Sequence, residues 1–143
     1  MSNCNSIIDN QKILNINFVM ATLSNIISST TQAIAIAIVN RHGELIAFSA
    51  NDNCFPLPRK VAFRKAYTAS LLRRETAIVS EEVKTGRLNL SSLNDPLLLA
   101  MPGGIPIIIE ENIVGAVGVS GLTAEQDIAL AKQYIDRLLS FKE

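Results

Sequence analysis

The chain has 143 residues, of which 48% are apolar and 5% aromatic, and 13 basic residues balance 13 acidic ones. This length suits a single domain, residues 1–143, with an aliphatic core, and the composition excludes a disordered chain. The zero net charge provides no long-range field for nucleic acid, and no apolar stretch has membrane-spanning length. The first residues lack a signal-peptide pattern, so we expect a cytoplasmic protein.

The first third of the chain predicts a helix followed by a hairpin. Apolar residues recur at helical spacing over residues 10–28, and Asp9 is the predicted N-cap. Two short apolar runs, residues 33–39 and 44–49, are typical of strands joined by a short polar turn. This places His42, the one histidine, in an exposed turn, where it is not expected to bind a metal.

The middle of the chain predicts two helices and a long irregular segment. Pro58 is suited to the first turn of a helix that runs to about Arg74. Thr76 is the predicted cap of a further short helix that ends near Gly86. Residues 88–102 mix Asn, Ser, Asp and Pro with leucines, and a loop of this length is often functional.

The last third predicts a second hairpin and a final helix. Residues 105–109 and 113–119 form the hairpin pattern, and Pro106 indicates a strand at the edge of its sheet. Residues 123–126 form a capping box that opens an amphipathic helix over residues 124–139. The predicted order is α-β-β-α-α-β-β-α. It gives an α+β fold in which two hairpins form an antiparallel sheet flanked by helices.

Lys65 is the residue of greatest interest on the helix that follows Pro58. At about 100° per residue it falls in the middle of the apolar side of that helix. We predict that Lys65 is largely buried and held by carbonyls or by a carboxylate, with Asp52 and Asp127 as the candidates. The alternative is that it extends past small neighbours to reach water. The other basic residues of the helix are predicted to be solvated: Arg59, Lys60, Arg64, Arg73 and Arg74.

Two glycine-rich segments follow. Residues 101–106, MPGGIP, predict either a tight turn into an edge strand or a nest of N–H groups for an anion. Residues 115–121 have the spacing G-x-x-G-x-x-G within a strand. This favours close helix packing over a dinucleotide site. Ser120 and Gly121 precede the last helix, where they could face an acidic ligand group. We predict no catalytic triad and no metal cluster.

The order of these segments resembles the GlcG/HbpS family, also described as haem-binding HbpS-like. The resemblance is carried by Ala62-x-x-Lys65-Ala66-x-Thr68-Ala69, by Gly103-Gly104-x-Pro106 and by residues 115–121. It implies a profilin-like fold and homo-oligomers, from dimers to octamers. Members of the family bind haem, and some resemble the C-terminal domain of corrinoid adenosyltransferases. Others are linked to glycolate or to glycerol and diol metabolism.

The resemblance also implies a ligand site, which would lie near six residues: Lys65, Thr68, Gly103, Gly104, Ser120 and Gly121. The expected function is that of an accessory ligand-binding protein rather than an enzyme, with haem or cobalamin as the candidate cofactors. A haem would take its axial ligand from Cys54, Tyr67 or Met101.

Two alternatives remain open at this stage. One is a small enzyme that uses Lys65 as a base or Schiff-base amine in an apolar pocket, where burial would lower its pKa. The other is a structural partner of a corrinoid adenosyltransferase or a dehydratase system.

Overall fold

The computed structural model describes residues 13–141 and contains a four-stranded antiparallel sheet with helices on both faces. The elements in chain order are α1 (Ile16–Ser28), β1 (Ala35–Asn40), β2 (Leu45–Ala50), α2 (Pro56–Leu72), α3 (Thr76–Lys84), a 3₁₀ turn (Leu90–Leu93), β3 (Gly104–Ile109), β4 (Asn112–Ser120) and α4 (Ala124–Leu139). The strand order in the sheet is β2-β1-β4-β3, so each hairpin contributes one central strand and one edge strand. The predicted α+β fold and its element order are confirmed.

One face of the sheet carries the large aliphatic core. Val19 and Leu23 of α1 and Ile135 of α4 pack there against isoleucines and valines of the strands. Tyr134 is fully buried in this layer, and its hydroxyl donates a hydrogen bond of 2.9 Å to the carbonyl oxygen of Val19. The phenol therefore satisfies its polar atom while it joins α4 to α1.

The opposite face is built from small residues, and α2 lies directly on it. Alanines 62, 66 and 69 of α2 pack against alanines of β1 and β4. A Cβ atom on Gly118 of β4 would lie only 2.1 Å from the carbonyl oxygen of Ala62, so no larger residue fits there. The prediction that a glycine in this strand admits a closely packed helix is confirmed.

Some predicted boundaries are wrong by a few residues. Helix α1 begins at Ile16, because Asn15 caps it by accepting a hydrogen bond from the backbone N–H of Asn17. Asp9 and Asn10, the predicted start, lie outside the described residues. Helix α2 starts at Pro56, two residues before Pro58. It ends at Leu72 because Arg73 adopts a left-handed conformation with φ of 63°.

Helix α4 follows its prediction and helix α3 departs from it. The capping box between Thr123 and Gln126 is present, and α4 has the predicted bounds. Thr76, in contrast, is not the cap of α3, because Glu75 holds the N-cap position. The Thr76 hydroxyl instead accepts a hydrogen bond of 2.8 Å from the backbone N–H of Gly104 in β3.

The basic residues of α2, and the two arginines that follow it, are less solvated than predicted. Lys60 and Arg73 are exposed, but Arg59, Arg64 and Arg74 are half-buried. Arg59 donates to the carbonyl oxygens of Asn51 and Cys54, and Arg74 pairs with Glu82 at 2.8 Å. The prediction is wrong for these three because backbone carbonyls and an acidic side chain of neighbouring segments surround them, and helix periodicity does not contain that information.

Two smaller predictions agree with the structure. His42 is exposed in the turn between β1 and β2, and β3, which contains Pro106, is an edge strand. Within residues 13–141, none of the helices combines the length and the apolar character needed to cross a membrane.

Candidate functional site

Lys65 is buried beneath the loop that contains the paired glycines. Only 2% of its surface is exposed. Its Nζ atom donates hydrogen bonds of 2.8 Å to the carbonyl oxygen of Val119 and 3.0 Å to Oδ2 of Asp127. The predicted burial of Lys65 is confirmed, and of the two candidate carboxylates Asp127 is the partner. Asp52 is exposed and is not.

Asp127 joins the lysine to the first turn of α4. Its second oxygen, Oδ1, accepts a hydrogen bond of 3.1 Å from the backbone N–H of Leu122. Burial lowers the pKa of Lys65, and the negative charge of Asp127 opposes that shift. Burial likewise raises the pKa of Asp127 against the pull of the ammonium group. The two charges therefore compensate for one another's loss of water.

Gly103 fits beside the ammonium group because it lacks a side chain, and we call this position the Gly103 notch. Its φ of 123° favours glycine, and a Cβ atom at this position would lie 2.8 Å from the Nζ atom of Lys65. An ammonium group has three N–H donors, and the described residues accept two of them. The third donor has no hydrogen-bond acceptor among the described residues, and Gly103 packs closely against the ammonium group.

The other predicted site residues differ in how they relate to the contact between Lys65 and Gly103. Gly104 packs on the backbone of Lys65, since a Cβ on it would lie 2.3 Å from the lysine carbonyl oxygen. Ser120 is buried at the end of β4, directly after Val119, and Gly121 is exposed with φ of 120°. Thr68 lies one turn along α2, where its hydroxyl accepts from the backbone N–H of Leu99. The Thr68 side chain therefore holds the segment around Leu99, which leads to the paired glycines.

Arg64 is the residue of this region that the sequence did not reveal as important. Its guanidinium donates to the carbonyl oxygens of residues 96, 97 and 98, at distances from 2.8 to 3.3 Å. Together with Thr68 it fastens the segment that leads to Gly103. Periodicity could only show that Arg64 is on the polar side of α2. The carbonyls that it binds belong to an irregular segment without a sequence signature.

A separate apolar cavity lies at the far end of the sheet. It has a volume of about 710 Å³ and lies between the start of α1, the β3–β4 turn and the end of α4. Phe18 and Phe141 both line it, and their rings stack with centroids 4.8 Å apart. None of the six predicted site residues lines this cavity.

The fold and this site define an α+β domain in which one antiparallel sheet is packed between helices and a buried lysine–aspartate pair joins α2 to α4. The chain belongs to the HbpS-like family, because the family model described as haem degrading protein HbpS-like matches residues 16–136. The resemblance found in the sequence is thereby confirmed.

Three known proteins illustrate the relationship. Protein GlcG of Escherichia coli (strain K12) is 42% identical over 88 residues, which cover 62% of this chain and 64% of GlcG. The crystal structure of Klebsiella pneumoniae protein ORFY superposes with a TM-score of 0.79 at 26% identity and covers 96% of this chain and 100% of ORFY. The crystal structure of a PduOC:heme complex shares the fold, with a TM-score of 0.74 at 21% identity, over 85% of this chain and 90% of that one.

Proposed function

We propose that this chain is an accessory haem-binding-type protein in which an acidic group of the ligand binds at Gly103 and accepts a hydrogen bond from the Lys65 ammonium. Membership of the HbpS-like family and the fold shared with a PduOC:heme complex support the ligand class. The observation that carries the proposal is the third N–H donor of Lys65, which has no acceptor among the described residues and belongs to an ammonium group in contact with Gly103.

The chemistry of the notch favours a carboxylate. Asp127 already balances the charge of the ammonium group, and a hydrogen bond from the third N–H to a charged acceptor is stronger than one to a neutral acceptor. Haem carries two propionate groups, whereas the peripheral side chains of a cobalamin are mostly neutral amides. We therefore favour haem over cobalamin as the ligand, and a smaller carboxylic acid would use the same anchor.

Met101 is the most accessible of the three residues that could hold the iron of a haem. Its side chain is 44% exposed, and it precedes Gly103 by two residues. Cys54 is buried, and burial raises the pKa of its thiol, which disfavours the metal-binding thiolate. The Tyr67 hydroxyl donates to Asp95 and is engaged. The bound iron would supply ligand-exchange or redox chemistry, and Lys65 and Met101 would hold and orient the group.

A haemin titration followed in the visible spectrum tests the notch. The unmodified chain should shift the Soret band and saturate at one equivalent. Gly103→Ala places a methyl group at the Lys65 ammonium and should weaken binding by roughly tenfold or more. Gly86→Ala is the matched control, because Gly86 also has a positive φ but a Cβ there meets nothing within 4 Å. Equal affinities for both variants would contradict the proposal.

The axial ligand is tested by Met101→Leu, with Met20→Leu as its control. Met20 has a similar exposed fraction, 47%, but lies on α1. Loss of the thioether at residue 101 should change the Soret position and the iron's spin state, whereas the Met20 variant should leave the spectrum unchanged. Identical spectra for all three proteins would rule out Met101.

The remaining expectations drawn from the sequence stay predictions. A base or Schiff-base amine acts in its neutral form, whereas the contact with Asp127 favours the charged form of Lys65, so the observed pair supports a holding role. The single domain over residues 1–143, the cytoplasmic location and the link to glycolate or to glycerol and diol metabolism belong to the proposal. The same holds for an adenosyltransferase or dehydratase partner. We include homo-oligomerisation as well, and cell fractionation and co-purification would test these points.

A further inference from the structure

An open groove runs between α4 and the edge strand β3. Its volume is about 240 Å³, and its lining residues are Ile105, Pro106, Ile108, Lys132, Ile135 and Asp136. Ile108 is 53% exposed, although the residue before it, Ile107, is completely buried. A register irregularity between these two residues accompanies the change. The surface therefore presents a large aliphatic side chain beside a hollow.

The same isoleucine extends this surface further. Ile108 also lines the 710 Å³ cavity at the end of the sheet, where Phe141 is exposed as well. The two hollows thus share one wall, and exposed apolar side chains continue from the groove into the cavity. Contiguous apolar surface of this kind on a small domain indicates an interaction site.

The edge strand itself is not suited to accept another strand. Pro106 lies in β3 and has no N–H group to donate to a neighbouring strand. A partner would therefore contact this side of the molecule through side chains.

The charges that flank the groove are self-complementary. Lys132 and Asp136 are one helical turn apart on α4, and both are exposed. Neither forms an ion pair within 4 Å with another residue of the range 13–141. In a twofold contact, residue i of one copy meets residue j of the other, and residue j meets residue i. Two antiparallel α4 helices would thus form two Lys132–Asp136 pairs between copies.

We propose that this groove is a twofold interface between two copies of the chain. The Ile108 side chain of each copy enters the partner's hollow, and Lys132 of each copy pairs with Asp136 of the partner subunit. The inference rests on the proposed homo-oligomerisation and assigns it a surface. The interface lies on the α4 face of the sheet, whereas the Lys65 notch lies against α2.

Analytical ultracentrifugation over a dilution series tests the apolar part. Ile108→Glu should raise the dissociation constant of the pair by roughly tenfold or more, because a charge would enter the hollow. Ile78→Glu is the matched control, since Ile78 is similarly exposed but lies on α3. Its dissociation constant should match that of the unmodified chain.

Mixing two charge variants tests whether Lys132 and Asp136 pair between copies. Lys132→Glu alone brings two carboxylates together across the interface, and Asp136→Lys alone brings two ammonium groups together, so each variant should self-associate weakly. In a mixture of the two, both contacts between unlike copies join opposite charges. The mixed pair should therefore be tighter than either homopair. A pairing within one helix would give no such gain.

The results distinguish an interface at this groove from self-association through another surface. A monomer at all concentrations would overturn both the groove interface and homo-oligomerisation. An assembly that Ile108→Glu leaves intact, and in which mixing gives no gain, would overturn the surface and leave oligomerisation standing. Haemin binding is measured on the same variants, and it should be unchanged in all of them.

Discussion

Lys65 and Asp127 are separated by 62 residues in the chain, yet their charged groups lie 3.0 Å apart in the interior. The pair connects α2 to the first turn of α4, and the second lysine bond connects α2 to the end of β4. Three elements, α2, β4 and α4, are thus joined by one ammonium group. Because both charges are almost completely buried, each depends on the other.

The first prediction concerns this dependence. Lys65→Met should lower the free energy of unfolding by about 3–5 kcal/mol, because Asp127 is left buried without its counter-charge. The double variant Lys65→Met with Asp127→Leu should recover most of that loss, since it removes both desolvated charges. Urea denaturation of the three proteins measures the difference. A double variant as unstable as the single one would contradict the coupling.

The more exposed pair Arg74–Glu82 is the control for this experiment. Its atoms are as close, at 2.8 Å, but both side chains reach solvent. Water screens such pairs, so Glu82→Gln should change the unfolding free energy far less than Lys65→Met does.

A second prediction concerns the close contact of α2 with β4. Gly118→Ala should lower the unfolding free energy by about 1–3 kcal/mol, because its methyl group would meet the Ala62 carbonyl and the Ala66 N–H group. Gly86→Ala should cost about 1 kcal/mol for its positive φ alone. The same denaturation assay compares them, and a smaller loss at residue 118 than at residue 86 would be inconsistent with the packing.

The third prediction concerns the hydroxyl of Thr76. Thr76→Val keeps the shape of the side chain but removes the acceptor for the buried N–H group of Gly104, which should cost about 1–3 kcal/mol. Thr85→Val is the matched control, since the Thr85 hydroxyl bonds only to Glu81, Glu82 and Arg87 at the exposed end of α3. Amide hydrogen exchange at Gly104 should become faster in the Thr76 variant, and an unchanged or slower rate would contradict this role.

The fourth prediction concerns pH. Both tyrosines of the chain have a raised pKa, Tyr67 mainly because its hydroxyl donates to Asp95 and Tyr134 because it is buried. A raised folded-state pKa stabilises the fold below the unfolded value of 10.0, and this contribution is lost as the pH rises through the folded pKa. The tyrosinate absorbance of the folded protein should therefore appear above pH 10, whereas the denatured chain is half ionised there.

Asp95→Asn separates the two tyrosines. It removes the negative charge beside Tyr67 and should bring the pKa of that residue down toward its ordinary value, while Tyr134 is unaffected. An alkaline titration in which Asp95→Asn leaves both ionisations in place would show that Asp95 does not govern Tyr67.

Local patterns predicted much of this fold from the sequence. The capping box and the apolar stripe of α4 act within one helix, so its bounds were predictable, and helical geometry alone placed Lys65 on the buried side of α2. The sequence left two candidate partners for Lys65, Asp52 and Asp127. It could not decide between them, because the contact with Asp127 depends on how separate elements pack. The roles of Thr76 and Arg64 were not predictable for the same reason, since both side chains bind backbone atoms of segments 28 to 34 residues away.

The hydrogen bonds that Arg64 donates to the carbonyls of residues 96–98 have a consequence for affinity. A guanidinium that binds three successive carbonyls, on a helix packed closely against its sheet, holds the segment before Gly103 in one conformation. In the proposed complex, association would then cost little conformational entropy on the protein side, so the hydrogen bond from Lys65 would contribute more of its strength to the measured affinity.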